Sequence, residues 1–288
     1  MRARMAALVG LALAAASVAR AQVTINNGLV GDGSWVVISE NGGDTRSGVL
    51  DPTGSVIAAG DLIFDLFTYV DTGANGGAAR LSASTTTPAA LVAGQVVSSG
   101  SFAGLNGTVN WTATASIPAG VAAYNVTLSF TSASPFGVLR VIHYFDEDVI
   151  AGDAGDDVLI LFGTPGNPDF FLLTLDSTDN IGIGHTAQFV GITGATYVGW
   201  AADKWQDLKT ALTGAGATYS IAGNIDTVDL LSMVDGRHPT RPAYGPRDIT
   251  QAFAFDLDPA ATSATVVVTL SGAPSGGTPV ELLDFAVD

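Results

Sequence analysis

The chain has no cysteine among its 288 residues. Thiolate nucleophiles, zinc–thiolate centres and iron–sulfur clusters are therefore excluded, and no disulfide can staple the fold. Positive charge is also scarce: 11 Lys and Arg stand against 27 Asp and Glu, for a formal net charge of −16. Nucleic acid and anionic membrane surfaces are poor partners for such a chain, because both require cationic groups to displace counterions. No apolar run reaches the ~20 residues of a membrane-spanning helix, so no transmembrane segment is expected in the mature chain. Common catalytic signatures are missing as well: there is no G-x-S-x-G elbow, H-E-x-x-H helix, P-loop or G-x-G-x-x-G turn. The three histidines, His143, His185 and His238, are too dispersed in sequence to suggest a zinc site. These absences count against serine and zinc hydrolases of the usual kinds. An enzyme built on Asp, Glu, Tyr and Arg remains open.

What is present begins with an export signal. Arg2 and Arg4 precede an apolar stretch from Met5 to Val18, and Ala19-Arg20-Ala21 supplies an A-x-A cleavage site. Residues 1–21 thus read as a secretory signal peptide and are set aside from the fold. Cleavage removes three basic residues and no acid, leaving an even more acidic mature chain. The expected product is a soluble exported protein, periplasmic or extracellular.

From residue 22 on, short apolar or alternating runs are broken by Gly, Asn, Asp and Pro, the pattern of strands and turns. Strands are expected at 34–39, 62–70, 108–117, 122–131, 137–145, 158–163, 170–175, 252–257 and 264–270, with "SIPAGVAAY" joining a hairpin and "VELLDFAV" forming a last strand. One segment differs: in "WAADKWQDLKTALTGAG", Trp205, Leu208 and Leu212 recur at helical spacing, which predicts one short helix near residues 200–213. "DLLSMVDG", from Asp229, reads as a further helical turn. The fold class is accordingly all-β, an antiparallel sandwich, organised as one domain over 22–288 with a possible sub-boundary near 131–137.

Two stretches carry chemistry. The first, "HYFDEDVIAGDAGDDVLILFG", holds six carboxylates between Asp146 and Asp157, and no Lys or Arg occurs from Val141 to Asp203. Carboxylates this dense repel one another unless a positive group sits among them. Calcium, which takes 6–8 oxygens in irregular loops, is the economical solution. Asp146, Asp148, Asp153, Asp156 and Asp157 are the candidate ligands, with Gly152 and Gly155 permitting tight turns. The spacing does not match an EF-hand. A solvated acidic loop that keeps the protein soluble is the competing reading.

The second stretch, "DGRHPTRPAYGPRDIT", concentrates Arg237, His238, Arg241, Tyr244 and Arg247 among three prolines and reads as an ordered, non-repetitive loop. Guanidinium groups held stiffly suit a carboxylate or sulfate ligand, although in so acidic a chain pairing with its own acids is the stronger reading. The functional expectation is a binding or envelope-associated sandwich with a calcium site, its partner a carbohydrate or another envelope or matrix component. The alternative is a carbohydrate-active enzyme, a glycoside hydrolase or lyase. It would use acids of 146–157, Tyr244 or His238 as base, and Arg237 or Arg247 to neutralise a uronate.

Overall fold

In the computed structural model, which describes residues 22–28, 34–38, 44–50, 63–73, 78–147, 155, 157–164, 166–167, 170–176, 183–213, 224–225, 232–234 and 242–274, the alternating runs become strands. The first five are β1 (Val23–Asn26), β2 (Trp35–Ile38), β3 (Thr45–Val49), β4 (Asp65–Asp71) and β5 (Ala79–Arg80). A meander of four follows: β6 (Thr85–Val92), β7 (Gln95–Gly104), β8 (Gly107–Ser116) and β9 (Ala123–Ser132). Next come β10 (Arg140–Asp146), β11 (Asp157–Phe162), β12 (Phe171–Asp176), β13 (Ile183–Thr193) and β14 (Ala195–Lys204), then helix α1 (Trp205–Thr213). The described chain closes with β15 (Asn224–Ile225), β16 (Ser232–Val234), β17 (Pro242–Arg247), β18 (Ile249–Leu257) and β19 (Ser263–Pro274).

These strands form two sheets. The first runs β1-β2-β3-β4-β10-β18-β14-β15, with β5 on β4, and the second runs β16-β17-β11-β12-β13-β19-β9-β8-β7-β6. Pairing is antiparallel except between β14 and β15. Each sheet joins strands from both sides of residues 131–137: β4 pairs β10, and β9 pairs β19. The all-β sandwich expected from the sequence is the observed fold.

Alternation explains the layers. In β8, Val109, Trp111, Ala113 and Ala115 turn into the main core between the sheets, as do Val126, Leu128 and Phe130 of β9 and Val266, Val268 and Leu270 of β19. Trp111 is a core residue. It is 2% exposed, and its Nε1 donates to Ser84 Oγ at 2.8 Å. Gly100 lies against that ring, where a Cβ would come within 2.7 Å of it.

Strand β10 is covered on both sides because it has two apolar faces. Val141 and Phe145 enter the main core, whereas Ile142 and Tyr144 join Phe67, Tyr69 and the helical Leu208 and Leu212 on the outer face of the first sheet. Burying each leucine of α1 contributes about 2 kcal/mol, which fastens an otherwise short helix to the sheet.

The predicted helix is shorter at its start than the 200–213 span. Trp200–Lys204 complete β14, because pairing with β18 claims their backbone groups. The expected helical turn in "DLLSMVDG" is a correction: Ser232–Val234 is strand β16, its backbone paired with Pro242–Tyr244 of β17. The expected loop around Tyr244 is also corrected, since Pro242–Arg247 is a strand. Pro246 is tolerated there because the register shifts between the Asp157 and Leu159 pairings, so no ladder bond needs its missing N–H. The signal peptide, the strand expected at "VELLDFAV", and residues Asp148, Asp153, Asp156, Arg237, His238 and Arg241 lie outside the described residues.

Candidate functional site

Two of the chain's passages between the sheets lie at one end of the sandwich. The chain leaves the first sheet after Asp146 and re-enters in the second at Asp157; later it leaves the second at Arg247 and enters the first at Ile249. The registers Asp146↔Thr250 and Asp157↔Arg247 align these crossings. Both sequence stretches that carry chemistry therefore contribute to the same end.

Strand alternation sorts their side chains. Asp157 shares the inward face of β11 with Leu159, and Glu147 continues the inward face of Phe145. Thr174 of β12 and His185 of β13, which are register partners, meet them from the second sheet. Gln251 of β18 meets them from the first. All five are buried, none more than 1% exposed.

The geometry of this group is unusual for a protein core. Glu147 Oε2 stands 3.7 Å from His185 Nδ1, beyond hydrogen-bonding reach. The Gln251 amide donates to the Thr174 hydroxyl. Gln251 Oε1 and both His185 nitrogens have no hydrogen-bond partner among the described residues, and neither Glu147 oxygen accepts a well-formed bond. Burial pushes the Glu147 carboxyl up to about 8, with the Thr174 hydroxyl opposing in part, and pushes the His185 imidazole down to about 4. Native interiors rarely leave so many polar atoms unmatched without a water, an ion or a function to explain them.

A second polar row crosses the outer face of the first sheet at the same end. Asp65, Asp146, Thr250 and Asp203 are successive register partners on β4, β10, β18 and β14. The three carboxylates are at most 4% exposed. Lys209 of α1 pairs with Asp65 at 2.9 Å and stands 5.0 Å above the Phe67 ring. Tyr144 donates its hydroxyl to Asp146 at 3.3 Å, and burial, then the Asp146 charge, raise its phenol above the ordinary range. This row is a helix-capped structural network with its own internal cation.

The opposite end holds an open cavity of about 390 Å³ lined by Thr196, Asp256 and Asp258 among others. Its carboxylates are engaged: Arg140 clasps Asp256 through two bonds of 2.6 and 2.9 Å, and Asp258 accepts the Ala260 N–H at 2.9 Å.

Of the predicted ligands, Asp146 and Asp157 are described, and they diverge. Asp146 faces α1 on the first sheet, while Asp157 faces the core from the second. Among the described residues no three carboxylate or imidazole side chains converge as a metal cage. Tyr244 and Arg247 are placed by backbone only, opposite Leu159 and Asp157. Sequence reasoning missed Glu147, Thr174, His185 and Gln251 as a group. The only signal was the acidic run itself, of which Glu147 is a member left out of the proposed ligand set.

No family model and no curated protein sequence matches the chain. Among solved structures, a bacterial glucoamylase complexed with acarbose superposes with a TM-score of 0.51 at 9% sequence identity. The match covers 89% of this chain and 33% of that one, so this chain spans about a third of that enzyme's length. At this identity the likeness is one of fold.

Proposed function

We propose that this protein is an exported β-sandwich of binding or envelope-associated type whose acidic stretch 146–157 takes up calcium. The observation that supports it is the anchoring of that stretch. It leaves the first sheet through buried Glu147 and joins the second through buried Asp157, so a cation bound between them would neutralise the run and tie the layers together. Calcium accommodates such an irregular oxygen set better than magnesium does. The mature chain is expected to melt higher in calcium than in EDTA, with a gain of about 2.7 kcal/mol once free calcium reaches roughly 100 Kd, and with magnesium giving less. Replacing Asp153 and Asp156 by Asn should abolish that gain while leaving the melting point in EDTA unchanged. Identical melting curves in calcium and EDTA would return these carboxylates to solvent or internal pairing.

A carbohydrate ligand is the second reading, favoured by the fold shared with part of a glucoamylase that binds acarbose. Affinity electrophoresis in gels cast with starch or uronate-rich polysaccharide, run beside a reducing-end assay, separates its two forms. Retardation without released ends supports a binder, released ends support an enzyme, and neither removes the reading.

A further inference from the structure

The group formed by Glu147, Thr174, His185 and Gln251 lies apart from the loop carboxylates of the calcium reading, in which Glu147 serves only as the anchor where the loop leaves the first sheet. The group has two features of its own. The first is spacing: 3.7 Å between Glu147 Oε2 and His185 Nδ1 is too long for a hydrogen bond. Two ligands held at 2.0–2.1 Å by one tetrahedral ion stand about 3.4 Å apart, close to what is seen. The second is unmatched valence. Both His185 nitrogens and Gln251 Oε1 lack a partner among the described residues, and these side chains are at most 1% exposed. Thr174 accepts from the Gln251 Nε2, which leaves the amide oxygen as the end of that side chain still to be satisfied.

We propose that Glu147 and His185, with Gln251 Oε1, bind a divalent transition-metal ion of the zinc type between the two sheets. Imidazole with carboxylate and amide oxygen suits zinc, cobalt or nickel, whereas calcium takes oxygens alone. Thr174 acts as a positioning residue through Gln251, as groups behind metal ligands commonly do. The ligands come from the loop start after β10, from β13 and from β18, so the ion joins both layers. Its net charge is moderated by Glu147 itself and by Asp157, one step further along the same end.

The test uses the mature chain, stripped with chelator and titrated with cobalt(II) and then zinc(II). One cobalt per chain is expected, with visible d–d absorption of a low-coordinate nitrogen–oxygen site that zinc abolishes and millimolar calcium leaves intact. His185→Ala should weaken cobalt binding at least tenfold, and Gln251→Leu, which keeps the volume, should weaken it and alter the spectrum. His143→Ala, on another buried histidine, should bind as the parent does. A parent that binds no cobalt and no zinc overturns the proposal. So does a folded Gln251→Leu or His185→Ala variant with the parent's affinity and spectrum. Calcium responsiveness is read separately by melting, so either site can fail without the other.

Discussion

With metal removed by chelator, acidification from pH 7 to pH 4.5 will remove about 5 kcal/mol of stability through His143 and His185 alone. Both imidazoles are held neutral by burial, His143 with a pKa pushed down to about 3 and His185 to about 4, against an ordinary 6.5. A histidine depressed in the fold leaves stability intact above pH 6.5 and withdraws it as pH falls, because the unfolded chain then binds the proton more readily. Each contributes a slope of about 1.4 kcal/mol per pH unit. Glu147 acts in the opposite sense. With its folded pKa at about 8, its contribution is present in full below about 4.5, the ordinary value, and is lost progressively as pH rises from 4.5 to 8. Asp44, raised by burial against the pull of Arg80, acts in the same direction as Glu147. Stability should therefore peak near pH 6.5 and fall on both sides.

Urea midpoints between pH 4.5 and 8.5 check this variant by variant. His143→Gln and His185→Gln should each flatten the acid limb, and Glu147→Gln the alkaline limb. His143 touches the Thr68 hydroxyl at 3.0 Å, so its replacement lowers stability at every pH, but the diagnostic quantity is the change of that difference with pH. A difference constant across the range would show that these groups do not titrate with folding.

Truncating Phe253 to Ala is expected to cost about 3–5 kcal/mol, the largest effect of any single side chain considered. Phe253 is fully buried and sits among four rings: Phe145 at 5.7 Å, Phe170 at 6.3 Å, and Phe189 and Tyr197 at 6.4 Å. These rings come from β10, the loop before β12, β13 and β14, so the vacated volume cannot be filled by a small shift of one element. Phe253→Leu should cost about 1–2 kcal/mol, since much of the volume is kept. Equilibrium unfolding in urea would measure both, and a cost below 1 kcal/mol for the alanine variant would mean the cluster repacks.

The strands read most easily from the sequence were those with one apolar face. The β8–β9 hairpin, with "SIPAGVAAY" at its turn, is found as expected because Val109, Trp111, Val126 and Phe130 alternate with polar neighbours and a Pro-Ala-Gly turn separates them. The two-faced run of β10 was legible for the complementary reason that both of its faces carry apolar residues. Strands β13 and β14 were missed. Gly184, Gly191 and Gly199 interrupt their patterns, and the bulges at Phe189/Gly191 and Tyr197/Gly199 shift the alternation out of phase. The candidate site was legible only as charge density. Glu147 and His185 are brought together by β12 and β13 returning along the second sheet, and no spacing rule links two residues whose meeting depends on sheet order.

The pairing of β9 with β19 also bears on how the protein comes into being. Ser129 and Thr265, whose hydroxyls meet at 3.4 Å, are 136 positions apart in the chain. β19 is the last described strand and forms the bridge between the β6–β9 meander and β11–β13. Until it emerges, the second sheet is two fragments with open edges, and loop closure over such distances is slow. The second sheet therefore cannot close until β19 has been made, and until then its two fragments depend on protection from edge-to-edge association.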